Sequence, residues 1–431
     1  MPAPDHLLGA RLPRWLLPAQ WPERAGQPAL ADLHLSRGRV LGIAPHEPAR
    51  NPAGAWHLDG ALVLPGLVDA HTHLDKTFTL SRMGAVKPGL LGAIEAMMAD
   101  RPHWTEADIR ARAGRALQWA HEAGTVHLRT HCDWWEPQSQ PLAWNVLREL
   151  AQEWAPRLTL ERVALIPLHL YAERDSAMRL ARTVADSGPG ALLGGFVHTT
   201  NWNPQALRHL FEAAQRHGLD VDLHVDEELA PQARGLATTA ALLQEMRFGG
   251  HVVCGHTCAL AAQDEAQALA TLDAVAASAI TLVTLPITNL LLQDATTGRT
   301  PRQRGLTLVK EARSRGIPVL IASDNVQDPF CPVGSFDPLE ALNTGVLAAQ
   351  LEQPFDVWSE ALCRADWLRR GAPALPLQAG GSADLLIFPQ ADGWGFPSRT
   401  QPRVVLRQGG VASGQASAAW SRSSIPTRSL A

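Results

Sequence analysis

Apolar runs rich in β-branched residues recur along the chain, at roughly residues 62–71, 125–131, 160–169, 190–198, 219–227, 251–257, 280–286 and 318–325. Between them lie amphipathic stretches with helical spacing, over 105–123, 142–157, 176–187, 203–217, 238–247, 265–279, 305–315 and 338–351. The second of these puts Leu142, Val146, Leu147, Leu150 and Trp154 on one helix face. The first opens with Thr105 three residues ahead of Asp108, the spacing of a helix N-cap. Gly124, Gly188, Gly218 and Gly316 follow helical stretches, where a terminus favours a left-handed residue. Eight strands, each followed by a helix, predict an α/β fold of the (β/α)8 TIM-like barrel type. A doubly wound open sheet is disfavoured, because no G-x-G-x-x-G turn follows any of the runs.

Two flanks do not fit a barrel. Residues 28–66 and 380–412 are strand-like and rich in turns, as in "ADLHLSRGRVLGIAP" and "PRVVLRQGGVAS". They predict a small β-sandwich domain made from both chain ends, 1–65 with 376–431, around a barrel domain at 66–375. The last 18 or so residues, rich in Ser and Ala, read as a loose tail. No internal repeat is present.

Composition narrows the partners. Lys and Arg total 38 against 42 Asp and Glu, a net charge of −4, so the chain lacks the basic field of a nucleic-acid binder. No apolar run approaches the roughly 18 residues of a membrane span. The leucines of residues 1–20 are broken by Arg11, Pro13, Arg14 and Pro18 and make no convincing signal peptide. Five scattered cysteines read as free buried thiols in a reducing cytoplasm. Homo-oligomerisation is left open.

The candidate chemistry lies in what ends each run. The first ends in His71-Thr72-His73, the second in His131, the third in His169 and the fourth in His198. The fifth ends in His224, followed by Asp226 and Glu227; the sixth in His256, the eighth in Asp324, and the seventh at Pro286 with nothing ionisable. Seven of the 17 histidines therefore fall where a parallel barrel assembles its active site. Residues i and i+2 of a strand share a face, so His71 and His73 converge on one point, as a metal ion requires. His224 and Asp324 would complete a His3Asp set that leaves a coordination position for water. The chain has only three lysines, Lys76, Lys87 and Lys310, none ending a middle strand to supply a bridging carbamate. One divalent ion, zinc or iron, is expected.

The pieces "PGLVDAHTHLDKTFT" (65–79), "LRTHCD" (128–133), "DLHVDE" (222–227), "CGHTCAL" (254–260), "RGLTLVKEARSRGIPVLIASDNVQDPF" (304–330) and "AGGSADLLIFP" (379–389) resemble the amidohydrolase superfamily, cytosine deaminase branch. They occur in family order. The resemblance implies a metal-dependent hydrolytic deaminase of a nucleobase-like nitrogen heterocycle, with His71, His73, His224 and Asp324 as ligands of one metal. It implies that Glu227 shuttles protons, that His256 lies beside the attacking water and that Asp324 accepts a proton from it. Departures leave the substrate open. Leu168 stands where cytosine deaminases carry a base-reading glutamine, Asn325 where a second Asp is usual, and Phe330 where a Trp is usual. Trp134, Trp135, His169, Tyr171, His198 and Trp202 follow strands two to four and are candidates for a different pocket; Lys76 either pairs with Asp75 or touches substrate. "HTHLDK" and "ASDN" also resemble N-isopropylammelide isopropylamidohydrolase of the same branch. Two alternatives stand beside the deaminase: a ring-opening cyclic amidase and an inactive structural paralogue.

Overall fold

The computed structural model describes residues 3–373, 376–389, 395–396, 402–416 and 420. Eight parallel strands form one sheet in sequence order: β1 Leu67–Thr72, β2 Thr125–Asp133, β3 Thr159–Leu165, β4 Ala191–Val197, β5 Val221–Val225, β6 Val252–His256, β7 Ile280–Thr284 and β8 Val319–Ile321. A parallel bridge between Thr72 and Asp324 brings the last strand back to the first and closes the barrel. Two further bonds reinforce the seam, Asp324 N–H to His71 O at 2.9 Å and Ser323 N–H to Asp69 Oδ1 at 2.9 Å.

The helices follow the amphipathic stretches. Glu106–Ala123 is capped by Thr105, whose side chain accepts from Asp108 N, and ends at Gly124 with φ 100°. Pro204–His217 is capped by Asn203 and ends at Gly218 with φ 67°. Their apolar faces join the strands in one large core that includes Leu117, Trp144, Leu147, Leu210 and Phe211. The floor of the barrel is polar instead. Arg129 donates to Glu161 Oε2 at 2.7 and 3.0 Å, to Asp222 Oδ2 at 2.7 Å and to Leu368 O at 2.7 Å. This satisfies a fully buried guanidinium that would otherwise cost several kcal/mol.

Several expected boundaries move. The run 62–71 is two strands in two sheets: Leu62–Pro65 pairs with Leu385–Phe388 outside the barrel, and β1 starts at Leu67. Gly66 is the joint. A Cβ there would lie 2.2 Å from Val126 Cγ1, so the backbone can pass this close to β2 only without a side chain. The run 160–169 ends as a strand at Leu165, because Pro167 opens a 3-10 turn over Leu168–Tyr171. The helix expected at 305–315 is confined to Val309–Ser314. The strand His6–Ala10 and the helix Leu90–Asp100 were not anticipated.

Both chain ends contribute to two antiparallel-rich sheets beside the barrel. One is ordered Arg39–Pro45, Ala31–Ser36, His6–Ala10, Ala55–His57; the other is Gly410–Ser413, Val404–Arg407, Leu385–Phe388, Leu62–Pro65. Leu33, Trp56, Leu385 and Leu406 share their common core. Most of the expected loose tail lies outside the described residues. No helix among the described residues is long and apolar enough to cross a membrane. All five cysteines are buried and free.

Candidate active site

β1, β5 and β8 deliver four groups to one point at the carboxyl end of the barrel. His224 Nε2 lies 3.1 Å from both His71 Nε2 and His73 Nε2, and Asp324 Oδ1 lies 3.5 Å from His71 Nε2 and 3.3 Å from His73 Nε2. One ring proton cannot serve both contacts of His224, so hydrogen bonding among the imidazoles does not account for the cluster. Burial drives all three imidazoles well below the usual histidine range, an effect reinforced by neighbouring charges that include Lys76. Neutral rings present lone pairs, which is what a metal binds. Neither oxygen of the fully buried Asp324 has a hydrogen-bond partner, a costly state unless a cation is their partner. The ring nitrogens of His71, His73 and His224 lie within 4.8 Å of one another, and Asp324 lies against two of them, close enough to share one ion. The residues therefore fit one divalent ion.

The backbone there is strained. Asp324 has φ 63° and His256 φ 68°, left-handed values that side-chain-bearing residues rarely adopt. Gly255 provides space for the first ligand: a Cβ there would come within 3.0 Å of the His71 ring.

Glu227 and His256 stand beside the cage. Their closest approach is 3.4 Å, from Glu227 Oε1 to His256 Nδ1. Burial, then Asp324, pushes the Glu227 carboxyl well above its ordinary range, against the opposing pull of Lys76. Burial lowers His256 to about 3, so its ring is neutral. Asn289, on the helix Pro286–Leu292, donates its amide to His256 Nδ1 at 3.1 Å. That assigns the ring proton to Nε2, which is buried without a protein partner. Sequence reasoning passed over Asn289, because the seventh run ends without an ionisable group. Asn289→Leu is expected to release the tautomer and lower kcat on the order of tenfold with metal content unchanged. Steady-state kinetics beside metal analysis checks this.

A pocket opens above these groups, lined by His73, Lys76, Asp133, His224, Glu227, His256 and Asn325 on its polar side. Its apolar side is Leu90, Ile94, Met97, Trp135, Leu165, Pro167, Phe196 and Phe330. The helix Leu90–Asp100 is the roof. Its spacing of Leu90, Ile94 and Met97 is a helical signal that Gly92 interrupts. Asp100 anchors the far end of the roof, accepting from Arg82 at 2.7 to 3.1 Å and from Trp104 Nε1 at 2.7 Å.

Of the expected pocket residues, Lys76, Asn325, Phe330 and Trp135 line this cavity. Leu168 does not. The turn after Leu165 rotates it into the apolar core, and Leu165 and Pro167 form the wall instead. His169 is exposed on the same turn. Trp134 and Tyr171 are core residues, their polar atoms bonded to Glu136 O and Gly194 O. His198 stacks on Phe196 and sits 3.5 Å from Glu228, one layer outside the cavity wall; Trp202 packs on the core. His131 is not at a strand end, since β2 continues to Asp133. Its ring lies 3.9 Å from that of His71, deeper in the barrel. Asp133 is a polar lining residue that sequence reasoning overlooked, as it overlooked the apolar lining of the roof helix.

A model of the amidohydrolase family matches residues 137–409. A pterin deaminase of Rhizobium rhizogenes strain K84 is 37% identical over 388 residues, 88% of this chain and 87% of that protein. The chain belongs to the amidohydrolase family. The N-isopropylammelide isopropyl amidohydrolase of Pseudomonas sp. strain ADP is 23% identical to this amidohydrolase over 377 residues, covering 82% and 86% of the two chains. Among solved structures, 5-methylcytosine deaminase from Klebsiella pneumoniae superposes with a TM-score of 0.80 at 25% identity, covering 96% of this chain and 98% of that one. This amidohydrolase is accordingly a hydrolase of C–N bonds.

Proposed function

We propose that the protein is a metal-dependent hydrolytic deaminase of an amino-substituted nitrogen heterocycle, with a pterin as the preferred substrate class over cytosine. The observation that carries the reading is the cluster of His71, His73, His224 and Asp324 set against a buried Glu227 and a neutral, tautomer-fixed His256. Support for the pterin class comes from the 37% identical pterin deaminase and from the wall formed by Leu165, Pro167 and Phe196, which offers no base-reading amide.

A divalent ion, zinc or iron, held by the four cage residues would lower the pKa of water toward about 7 and so supply hydroxide at neutral pH. The residues of the chain do the rest. Glu227 enters protonated and gives its proton to the ring nitrogen beside the carbon under attack. Asp324 takes the remaining hydroxyl proton once the C–O bond has formed. Glu227, now ionised, relays that proton to the departing amine as the C–N bond breaks, and the proton shed by the water restores Glu227 to its starting form. The His256 Nε2–H donates a hydrogen bond to the oxygen that gains charge. The roof helix and the aromatic walls exclude bulk water and hold the ring flat. The products are ammonia and the oxo form of the ring.

The test is an ammonia-release screen of metal-loaded protein against pterins, purines, pyrimidines, aminotriazines and creatinine-like rings. The highest kcat/KM is expected on a pterin. Turnover of a hydantoin or dihydropyrimidine without ammonia would establish the ring-opening alternative instead. A folded protein that takes up no zinc or iron would establish the inactive paralogue.

A further inference from the structure

One polar feature of the cavity has no part in the proton transfers. Lys76 Nζ donates to Asp133 Oδ1 at 2.7 Å. Both side chains line the cavity and both are nearly inaccessible, at 2% and 4% exposure. The second oxygen, Asp133 Oδ2, is buried with no hydrogen-bond partner. An ammonium carries three donors, so Lys76 also has hydrogens beyond the one given to Asp133. Burial would favour losing its proton, but Asp133 and Asp75 outweigh burial and hold it charged.

The pair is rigidly placed. Asp133 N–H donates to Asp75 Oδ2 at 2.9 Å, and Arg112 fixes the segment by donating to Asp75 O at 2.8 Å and Thr77 O at 2.9 Å. The ammonium lies 5.0 Å from the centroid of the Phe330 ring. An unfilled buried carboxylate oxygen costs stability unless something else completes it.

We propose that Lys76 and Asp133 together read a lactam edge of the substrate: Lys76 Nζ donates to a ring carbonyl, and Asp133 Oδ2 accepts from the adjacent ring N–H. This rests on the deaminase reading and narrows it to amino heterocycles that carry neighbouring C=O and N–H groups. The match is one of order along an edge. Donor and acceptor are neighbours on the protein, because Lys76 is bonded to the very carboxylate whose other oxygen is vacant. Carbonyl and N–H are neighbours on the ring in the complementary sense. Asn325, which also lines the cavity, already gives its amide hydrogen to Asp328 Oδ2 at 2.7 Å.

The experiment compares 2-amino-4-oxopteridine with its 3-N-methyl derivative on the metal-loaded wild type and on Asp133→Asn. The wild type is expected to lose on the order of 10- to 100-fold in kcat/KM on methylation, the worth of one charge-assisted hydrogen bond. Asp133→Asn should lose a similar factor on the parent substrate and little more on the methylated one. Lys76→Met should behave likewise toward a 2-aminopteridine lacking the 4-oxo group. A wild-type ratio within about twofold of one, or losses that simply add, overturns the inference. The wild-type ratio decides even where a variant fails to fold. Failure to release ammonia from any amino heterocycle overturns the deaminase reading and this inference with it. Ammonia release with a ratio near one overturns this inference alone.

Discussion

Glu227→Gln is expected to lose at least about 10³-fold in kcat while retaining its full complement of metal. The size of the effect follows from the number of tasks one side chain performs. Positioned acid–base catalysis contributes typically 10²–10⁴-fold, and in the proposed mechanism Glu227 both protonates the ring and relays a proton to the amine, so both steps fail together. The amide keeps the shape of the carboxyl but cannot release and recover a proton. Metal content is unaffected because Glu227 is outside the four-atom cage; its near neighbour is His256 Nδ1 at 3.4 Å. The fold is expected to be undamaged or slightly more stable, since burial already disfavours the ionised carboxylate. Ammonia release beside metal analysis makes the measurement, and a variant with wild-type turnover removes Glu227 from the mechanism.

His71→Ala is expected to empty the site. In the proposed cage His71 supplies one of four ligand atoms, and it sits at the centre of the ring cluster, with centroids 3.9 to 5.3 Å from those of His73, His131, His224 and His256. Its loss leaves three ligands and a void into which the remaining rings relax. The readout with the largest signal is thermal stability against metal. Binding to the native state alone adds about 4 kcal/mol when free metal is roughly 1,000-fold above Kd. The melting temperature of the wild type should therefore rise on adding zinc or iron and fall on chelation, while that of the variant should respond to neither. Stoichiometric metal in dialysed His71→Ala would refute the ligand assignment.

The legibility of the site followed from local geometry. His71 and His73 are two apart on β1, and the period of a strand alone puts them on one face. Position after an apolar run also marked His224, His256 and Asp324, because a parallel barrel collects whatever ends its strands. The same rule misled at His169, and the family resemblance at Leu168, where Pro167 ends the strand early and a 3-10 turn sends one side chain to solvent and the other into the core. It was silent on Asn289, which lies one helical turn beyond β7. It was also silent on Asp133, which looks in sequence like the polar end of "LRTHCD" and becomes a cavity wall only because β2 runs to its last residue.

The sequence by itself determined the barrel and placed the candidate ligands at its strand ends, since alternation, helical spacing and residue type act over a few positions. Only the tertiary structure decided which groups share the cavity with that set: the roof helix, the Asn289 contact that fixes a tautomer, and the Lys76–Asp133 pair with its open oxygen. Those contacts join residues 33 to 57 positions apart in the chain. They depend on how far each strand runs before it turns, which is settled by packing against neighbours and not by the local pattern.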